Sequence, residues 1–140
     1  MPDNSNKESK ILKVWGIRDR AHLSDKCEID ILTLLPNSNC SIHYHKKKAN
    51  KFIVIEGTVF IKTGFGEIKL EKGDRLTVEA PLIHQFRTKK SSAILLEIAF
   101  VKKGKIDSKD IVRKKQGWRN IKGKNYSVKE LQHGDLFENE

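Results

Sequence analysis

The chain has 140 residues and a formal net charge of +10, and 37% of its residues are hydrophobic and 33% are charged. This length suits one domain with its own core, and the lack of both a secretory signal and a run of about eighteen apolar residues predicts a cytoplasmic protein without membrane contact. The 28 basic residues interleave with 18 acidic residues along the whole chain, which argues against nucleic acid as a partner and favours an anionic small molecule or a lysine-rich solvated surface.

Residues 1–9 are polar and are predicted to form a disordered tail. Short apolar runs then predict strands at Ile11 to Trp15, Glu28 to Leu35, Cys40 to His45, Phe52 to Ile55, Thr58 to Lys62, Glu67 to Leu70, Arg75 to Val78, His84 to Arg87 and Ala93 to Val101. Turn residues separate these runs roughly every eight to twelve residues, which is typical of a β-sandwich or barrel. We therefore predict an all-β domain over residues 10–103.

Residues 104–140 have a different pattern, which predicts a short helical or irregular C-terminal tail packed on the barrel. Asp107 to Asp110 could cap a short turn, and Ser127 to Gln132 fits a brief helix with Ser127 as its N-cap. This segment is too small for a second domain, so Trp118 and Phe137 are expected to pack against the barrel.

The residues with the clearest chemical pattern are His43 and His45. Residues two apart on a strand project from the same face, so the two imidazoles would stand side by side. Two imidazoles at this spacing can bind one metal ion from one side. Histidines that are merely hydrogen-bonded inside a barrel would give the same pattern, so the pair needs support from the surrounding sequence.

That support comes from glycines and a third histidine at fixed distances along the chain. The stretch resembles the two motifs of the cupin superfamily, which are HxH followed by glutamate and glycine, and glycine followed by Pro-x-Gly and histidine. The residues on the first motif are His43, His45, Asn50 and Gly57, and those on the second are Gly73, Glu79, Pro81 and His84. The resemblance implies a double-stranded β-helix, the cupin jelly roll.

The resemblance also implies a metal site formed by His43, His45 and His84, for a divalent ion such as Zn, Fe, Mn, Ni or Co. Asn50 stands where the family usually has a glutamate ligand, and its neutral carbonyl oxygen is a poorer donor to most divalent ions. The alternative is a metal-free cupin in which the histidines hydrogen-bond a polar ligand directly.

Within the superfamily, the segments His43 to Phe60 and Gly104 to Arg113 are similar to the cupin domain of type II mannose-6-phosphate isomerases. That family interconverts an aldose phosphate and its ketose through an enediol, with a metal ion polarising the carbonyl. The likeness implies a small-molecule ligand of the sugar-phosphate type. Asn50, Lys48 and Arg87 are the candidate substrate-binding residues, and no motif position supplies a strong catalytic base.

Two other functions remain open from the sequence alone. Asn50 in place of an acid fits a non-catalytic cupin that binds a sugar or another small ligand. Three histidines also suit an iron-dependent oxygenase. Small cupins of this kind commonly pair through their sheets, so we expect a homodimer.

Overall fold

The computed structural model describes residues 9–127, which form fourteen strands. The strands are β1 (Lys10–Lys13), β2 (Gly16–Leu23), β3 (Cys27–Leu34), β4 (Ser38–Asn39), β5 (Ile42–Tyr44), β6 (Ala49–Glu56), β7 (Thr58–Thr63), β8 (Gly66–Glu71), β9 (Arg75–Val78), β10 (His84–Arg87), β11 (Ala93–Phe100), β12 (Val112–Lys115), β13 (Trp118–Ile121) and β14 (Lys124–Ser127). Within this range no helix is long and apolar enough to cross a membrane.

The strands form two antiparallel sheets with a shared core. The first sheet has the order β1-β2-β3-β11-β6-β9. The second has the order β12-β5-β10-β4-β13-β14, and β7 joins it by pairing with β10 and β8. The all-β prediction is therefore confirmed, and the two sheets give the closed, double-layered arrangement of a double-stranded β-helix.

The inner face of the first sheet is divided into an apolar half and a charged half. Side chains alternate across β3, β6 and β11, so every second residue points inward. The fully buried residues of the apolar half are Leu32, Leu34, Phe52, Val54 and Leu95. The inward residues of the charged half are Glu28, Asp30, Asn50 and Glu97. Each long strand thus contributes both to the core and to a polar interior.

Aromatic side chains close the apolar half against the second sheet. The rings of Trp15 and Phe86 meet edge to face with centroids 5.2 Å apart, and the rings of Phe52 and Phe86 have centroids 6.2 Å apart. Such edge-to-face pairs contribute about 0.5–1.5 kcal/mol beyond the area that they bury. The second sheet adds Val59 and Ile61, which have no exposed surface. This packing holds the two sheets together beneath the charged half.

Gly16 lies where β1 turns into β2 and where the backbone of β3 passes very close. Its φ angle is 149°, and a Cβ atom added there would lie 1.8 Å from the carbonyl oxygen of Thr33. Only a residue without a side chain fits this approach. The glycine therefore allows β2 to begin its pairing with β3 at Gly16, which lies opposite Leu34.

The predicted strands of residues 10–103 are present, and two strands were not predicted: β2, and the two-residue β4 at Ser38–Asn39, which precedes the strand predicted from Cys40. β2 was not predicted, because its alternation of Ile17, Arg18, Asp19 and Arg20 places charged side chains on both faces. Ser9, which was assigned to the disordered tail, donates a hydrogen bond to Asp19 at 2.9 Å. Residues 1–8 of that tail lie outside the described residues.

The prediction of a short helical or irregular tail is wrong for residues 112–127, which form three strands. β12 pairs with β5 and β13 pairs with β4, so this segment completes the second sheet. The lysines that dominate it point outward and obscure the alternation. Ser127 ends β14, and the rest of the helix predicted over Ser127 to Gln132 lies outside the described residues, as does Phe137.

The outer face of the first sheet carries aliphatic side chains. Leu96 on β11 lies in register with Ile31 on β3 and with Ile53 on β6. Ile31 is 39% exposed. The expected homodimer stays a prediction.

Candidate metal centre and adjoining cavity

His43, His45 and His84 form a three-histidine cluster inside the described domain. His43 lies on β5, His45 follows that strand, and His84 begins β10 directly opposite His43 in the antiparallel register. One ligand atom from each ring lies within 4.8 Å of the others. All three residues are buried, at 6%, 5% and 2% exposure. Strand pairing therefore brings the two motifs of the sequence to one point.

Each ring of the three-histidine cluster is oriented by its Nδ1 atom. His43 Nδ1 donates to the carbonyl of Ser41 at 2.9 Å, and His84 Nδ1 donates to the carbonyl of Leu82 at 2.9 Å. His45 Nδ1 donates to the carbonyl of Asp110 at 2.6 Å. A proton held on Nδ1 leaves the lone pair of Nε2 free, which is the usual arrangement of a metal-binding histidine.

The free Nε2 atoms supply a test of whether a metal ion fits here. His45 Nε2 and His84 Nε2 are buried and have no hydrogen-bond partner among residues 9–127. Leaving such atoms without a partner costs about 1–3 kcal/mol each, so a ligand that they can both bind would remove that cost. Three neutral nitrogen donors suit Zn, Fe, Ni or Co, and the residues present therefore fit a divalent ion.

The environment keeps the cluster in the neutral form that a metal ion requires. Burial, together with repulsion from the charged forms of His84 and His45, lowers the pKa of His43 to about 3. Burial also lowers the pKa of His84 to about 4, and that of His45 in the same direction. Protonation therefore does not compete with metal binding near neutral pH.

Asp110 fixes the loop that leads from the cluster to β6. Its carboxylate accepts hydrogen bonds from the backbone N–H groups of Lys46, Lys47 and Lys48 at 2.8, 3.0 and 3.1 Å. Burial acts to raise the pKa of Asp110, but these three donors outweigh it and hold the pKa below its usual value. Since the carbonyl of Asp110 also binds His45, one residue positions both the loop and a ring of the cluster.

A cavity of about 200 Å³ adjoins the three-histidine cluster on its inner side. His43 and His45 lie in its wall together with the charged half of the first sheet. Five basic and three acidic side chains line it, so the cavity is polar and strongly charged. Such a space suits a hydrophilic small molecule better than an apolar one.

Glu97 is a partly buried acid in this wall. It lies opposite Asp30 in the pairing of β3 with β11, and Asn50 Nδ2 donates to its Oε2 atom at 2.8 Å. Burial, with a further contribution from the negative charge of Asp30, raises the pKa of Glu97 to about 7. Glu97 can therefore exist in either protonation state near neutral pH, as a proton-transferring group must.

Asn50 occupies the position of the usual glutamate in the cupin motif, yet this corner of the cavity still contains a carboxylate. Glu97 on the neighbouring strand supplies it. The Oδ1 atom of Asn50 is buried and has no hydrogen-bond partner in the described part of the chain. It can accept a hydrogen bond from a hydroxyl group of a ligand.

The three candidate substrate-binding residues have different surroundings. Asn50 and Lys48 line the cavity, and Lys48 Nζ lies 3.6 Å from Glu28 Oε1. Arg87 is not among the lining residues, and it binds Glu67 through two hydrogen bonds of 2.8 and 3.1 Å. The structure therefore brings two of the three to the cluster. Substrate binding by any of them stays a prediction.

Comparison with known proteins decides the family. The sequence profile described as "Mannose-6-phosphate isomerase C-terminal" matches residues 2–116. The chain belongs to this cupin family. Among curated proteins, this chain is similar to the xanthan biosynthesis protein XanB of Xanthomonas campestris pv. campestris, with 25% identity over 105 residues. That match covers 74% of this chain and 22% of XanB, so the chain spans about a fifth of the length of this relative.

Solved structures similar to this cupin share its fold. A sugar phosphate isomerase of the cupin superfamily from Silicibacter pomeroyi has a TM-score of 0.56 at 18% identity, over 82% of this chain and 83% of that chain. Oxalate decarboxylase from Bacillus subtilis has a TM-score of 0.65 at 16% identity, over 75% of this chain and 29% of that chain. At these identities the likeness establishes the double-stranded β-helix and nothing finer.

The three histidines of the cluster were predicted from the sequence, but the roles of the acids behind them were not. No strong catalytic base was predicted, and Asp110 was placed only at the end of a segment that could cap a short turn. Charged residues at the inward positions of an otherwise apolar strand, such as Glu28 and Asp30 before Leu32, are the signal that marks the cavity wall.

Proposed function

We propose that this protein is a metal-dependent isomerase that interconverts an aldose phosphate and its ketose phosphate. The observation that carries the proposal is the convergence of three imidazoles, two of them in the wall of a cavity whose lining also includes the Glu97 carboxylate, with a pKa of about 7. The imidazoles supply a site for a divalent ion, and the carboxylate supplies the proton transfer that aldose–ketose isomerisation requires. Membership of the mannose-6-phosphate isomerase family supports this choice among the reactions that cupins host.

A metal ion bound at Nε2 of His43, His45 and His84 would act as a Lewis acid on the sugar carbonyl. Glu97, in its ionised form, removes the proton from carbon 2 of the aldose. The C2–H bond breaks, a C1–H bond forms when the proton is returned, and the hydroxyl proton passes from O2 to O1. No oxidant or reductant is needed, because the reaction only moves hydrogen within the sugar.

Asn50 and Asp30 shift the pKa of Glu97 in opposite directions. Asn50 donates to the Glu97 carboxylate and favours its ionised form, whereas burial and the charge of Asp30 favour the protonated form. The opposing effects hold the group near the middle of its titration at neutral pH. A base with a pKa close to the working pH is the most effective for general acid–base catalysis.

The direct test is conversion of mannose 6-phosphate to fructose 6-phosphate in D₂O, followed by NMR, with Mn, Co, Zn, Ni and Fe supplied in turn. Turnover with deuterium entering carbon 1 is the expected result. Absence of turnover with every ion, in protein shown to hold the metal, would remove the isomerase proposal.

Two variants test the assigned base. Glu97→Gln keeps the size and the hydrogen bonding of the side chain but cannot accept the proton, and we expect kcat to fall by about 10²–10⁴. Glu56→Gln changes an exposed glutamate at the end of β6 and should leave kcat unchanged. Equal activity of both variants and the wild type would exclude Glu97 as the base.

A second candidate is a cupin that binds a sugar phosphate without converting it. The neutral Asn50 at the position of the usual glutamate favours it, as does the unpartnered Oδ1 atom of Asn50. Titration calorimetry with mannose 6-phosphate separates the two functions. Binding without turnover supports the second, and turnover supports the first.

A further inference from the structure

The charges that line the cavity do not balance. Its five basic side chains are those of Lys13, Arg18, Arg20, Lys48 and Arg113, and its three acidic side chains are those of Glu28, Asp30 and Glu97. Near neutral pH Glu97 is partly protonated, which further reduces the negative charge in the cavity. The cavity lining therefore carries an excess of positive charge, to which the exposed Arg113 contributes.

Two of the basic residues are already engaged with the acids. Arg20 bridges the two acids of β3, with Nη2 at 3.1 Å from Glu28 Oε2 and Nε at 2.6 Å from Asp30 Oδ1. Lys48 lies 3.6 Å from the other carboxylate oxygen of Glu28. These four side chains form a nearly neutral network, and they leave Glu97 as the one remaining acid of the cavity lining for three basic residues.

Lys13, Arg18 and Arg113 have no ion-pair partner among residues 9–127. Arg18 Nε is buried and lacks a hydrogen-bond acceptor in the same range. Burial lowers the pKa of Lys13, and the positive charges of Arg18 and Arg113 lower it further. Three cations thus lie close enough to repel one another, and one of them carries an unsatisfied buried donor.

The three cations come from different strands and meet beside the three-histidine cluster. Lys13 ends β1, Arg18 lies on the inner face of β2, and Arg113 lies on β12. Arg113 is opposite His43 in the antiparallel register of β12 with β5, so the two side chains project from the same face. An anion held by these cations would place the rest of its molecule against the imidazoles and Glu97.

We propose that Lys13, Arg18 and Arg113 form an anion subsite that takes the phosphate group of the ligand. A phosphate monoester carries nearly two negative charges and several acceptor oxygens, which matches two guanidinium groups and an ammonium group. This proposal adds to the proposed function the residues that bind the phosphate group. It rests on the proposed function only for the identity of the sugar.

The test measures binding of inorganic phosphate by titration calorimetry at low ionic strength, on protein freed of metal by a chelator so that phosphate cannot bind through the ion. Arg18→Gln and Arg113→Gln should each weaken phosphate binding about tenfold or more, because each removes a charge-assisted hydrogen bond. Arg75→Gln removes the same charge from an exposed position on β9 outside the cavity and should leave the affinity unchanged. Thermal melting verifies that each variant is folded.

A second set of titrations, on metal-loaded protein, compares mannose 6-phosphate with mannose and with glucuronate. Tight binding of mannose 6-phosphate alone supports a phosphate subsite, and equal binding of glucuronate would overturn the choice of phosphate over carboxylate. Unchanged phosphate affinity in both arginine variants would overturn the subsite. If phosphate binding depends on the arginines while no isomerase activity exists, the subsite stands and the proposed function falls.

Discussion

Asn50 on β6 donates a hydrogen bond to the Glu97 carboxylate on β11, at 2.8 Å between Nδ2 and Oε2. The donor favours the ionised acid, whereas burial and Asp30 raise the pKa of Glu97 to about 7. We therefore expect the Glu97 carboxyl to titrate near neutral pH in a ¹³C NMR experiment, and Asn50→Ala to raise its midpoint. Glu67, whose pKa is lowered mainly by hydrogen bonds from Arg87, should titrate below its usual range in the same spectra.

The raised pKa of Glu97 also makes the stability of the folded protein depend on pH. Glu97 binds a proton more tightly in the folded protein than in the unfolded chain, where the usual value of 4.5 applies. Its contribution to stability is therefore complete at low pH and is lost as the pH rises through about 7. In urea unfolding at a series of pH values, Glu97→Gln should lose less stability over this rise than the wild type. An identical pH profile for both proteins would contradict the raised pKa.

Removal of a ring from the three-histidine cluster should abolish stoichiometric metal binding. His43→Ala leaves two of three nitrogen donors, and we expect its metal affinity to fall by more than the 10–100-fold typical of losing a residue that only supports a ligand. Metal content after dialysis, measured by mass spectrometry, gives the answer. His22→Ala removes an exposed histidine and should retain the metal, whereas full retention in His43→Ala would exclude His43 as a ligand.

Asp110 should control metal affinity without touching the metal. Asp110→Ala frees the backbone N–H groups of residues 46–48 and loosens the segment that orients His45, so we expect affinity to fall about 10–100-fold. Asp74→Ala is the matched change, because Asp74 accepts a backbone N–H of its own turn and does not line the cavity. A competition titration with a chromophoric chelator compares the two. Equal affinities would show that the loop holds its position without the Asp110 carboxylate.

The close approach at Gly16 should make its replacement costly. Gly16→Ala drives a methyl group into the carbonyl of Thr33, so we expect a loss of about 3 kcal/mol or more in urea unfolding, the range seen for severe steric or backbone changes. Gly66→Ala also alters a glycine with positive φ, at 123°, but has nothing within 4 Å of the added Cβ. The difference between the two variants isolates the steric clash. Equal losses would assign the whole effect to backbone conformation.

The fold and the metal centre could be predicted from the sequence because short local patterns specify both. The short apolar runs and the spacing of His43, His45 and His84 follow directly from strand periodicity and from two hairpins. β2 and the strands from residue 112 onward could not be predicted. Charged side chains on both faces of these strands hide the alternation of apolar and polar residues. Their assignment depends on pairing with strands that are distant in the chain.

The chemistry behind the cluster depends even more on long-range pairing. Burial is the main cause of the raised pKa of Glu97, and Asp30 adds to it; Asp30 is 67 positions earlier in the numbering and meets Glu97 only through the register of β3 with β11. The role of Asp110 likewise depends on a loop 62–64 residues away. No local pattern carries such information. The histidine ligands can therefore be predicted from the sequence, whereas the acids that surround them are identified only from the structure.

The division of the first sheet into an apolar half and a charged half separates the demands of folding from those of recognition. Substitutions among Glu28, Asp30, Asn50 and Glu97 change what the interior can bind while Leu32, Leu34 and Phe52 continue to hold the layers together. A chain built in this way can acquire a new specificity by exchanging a few side chains at one end of three strands. Engineering of this protein toward other anionic substrates should therefore begin at that end.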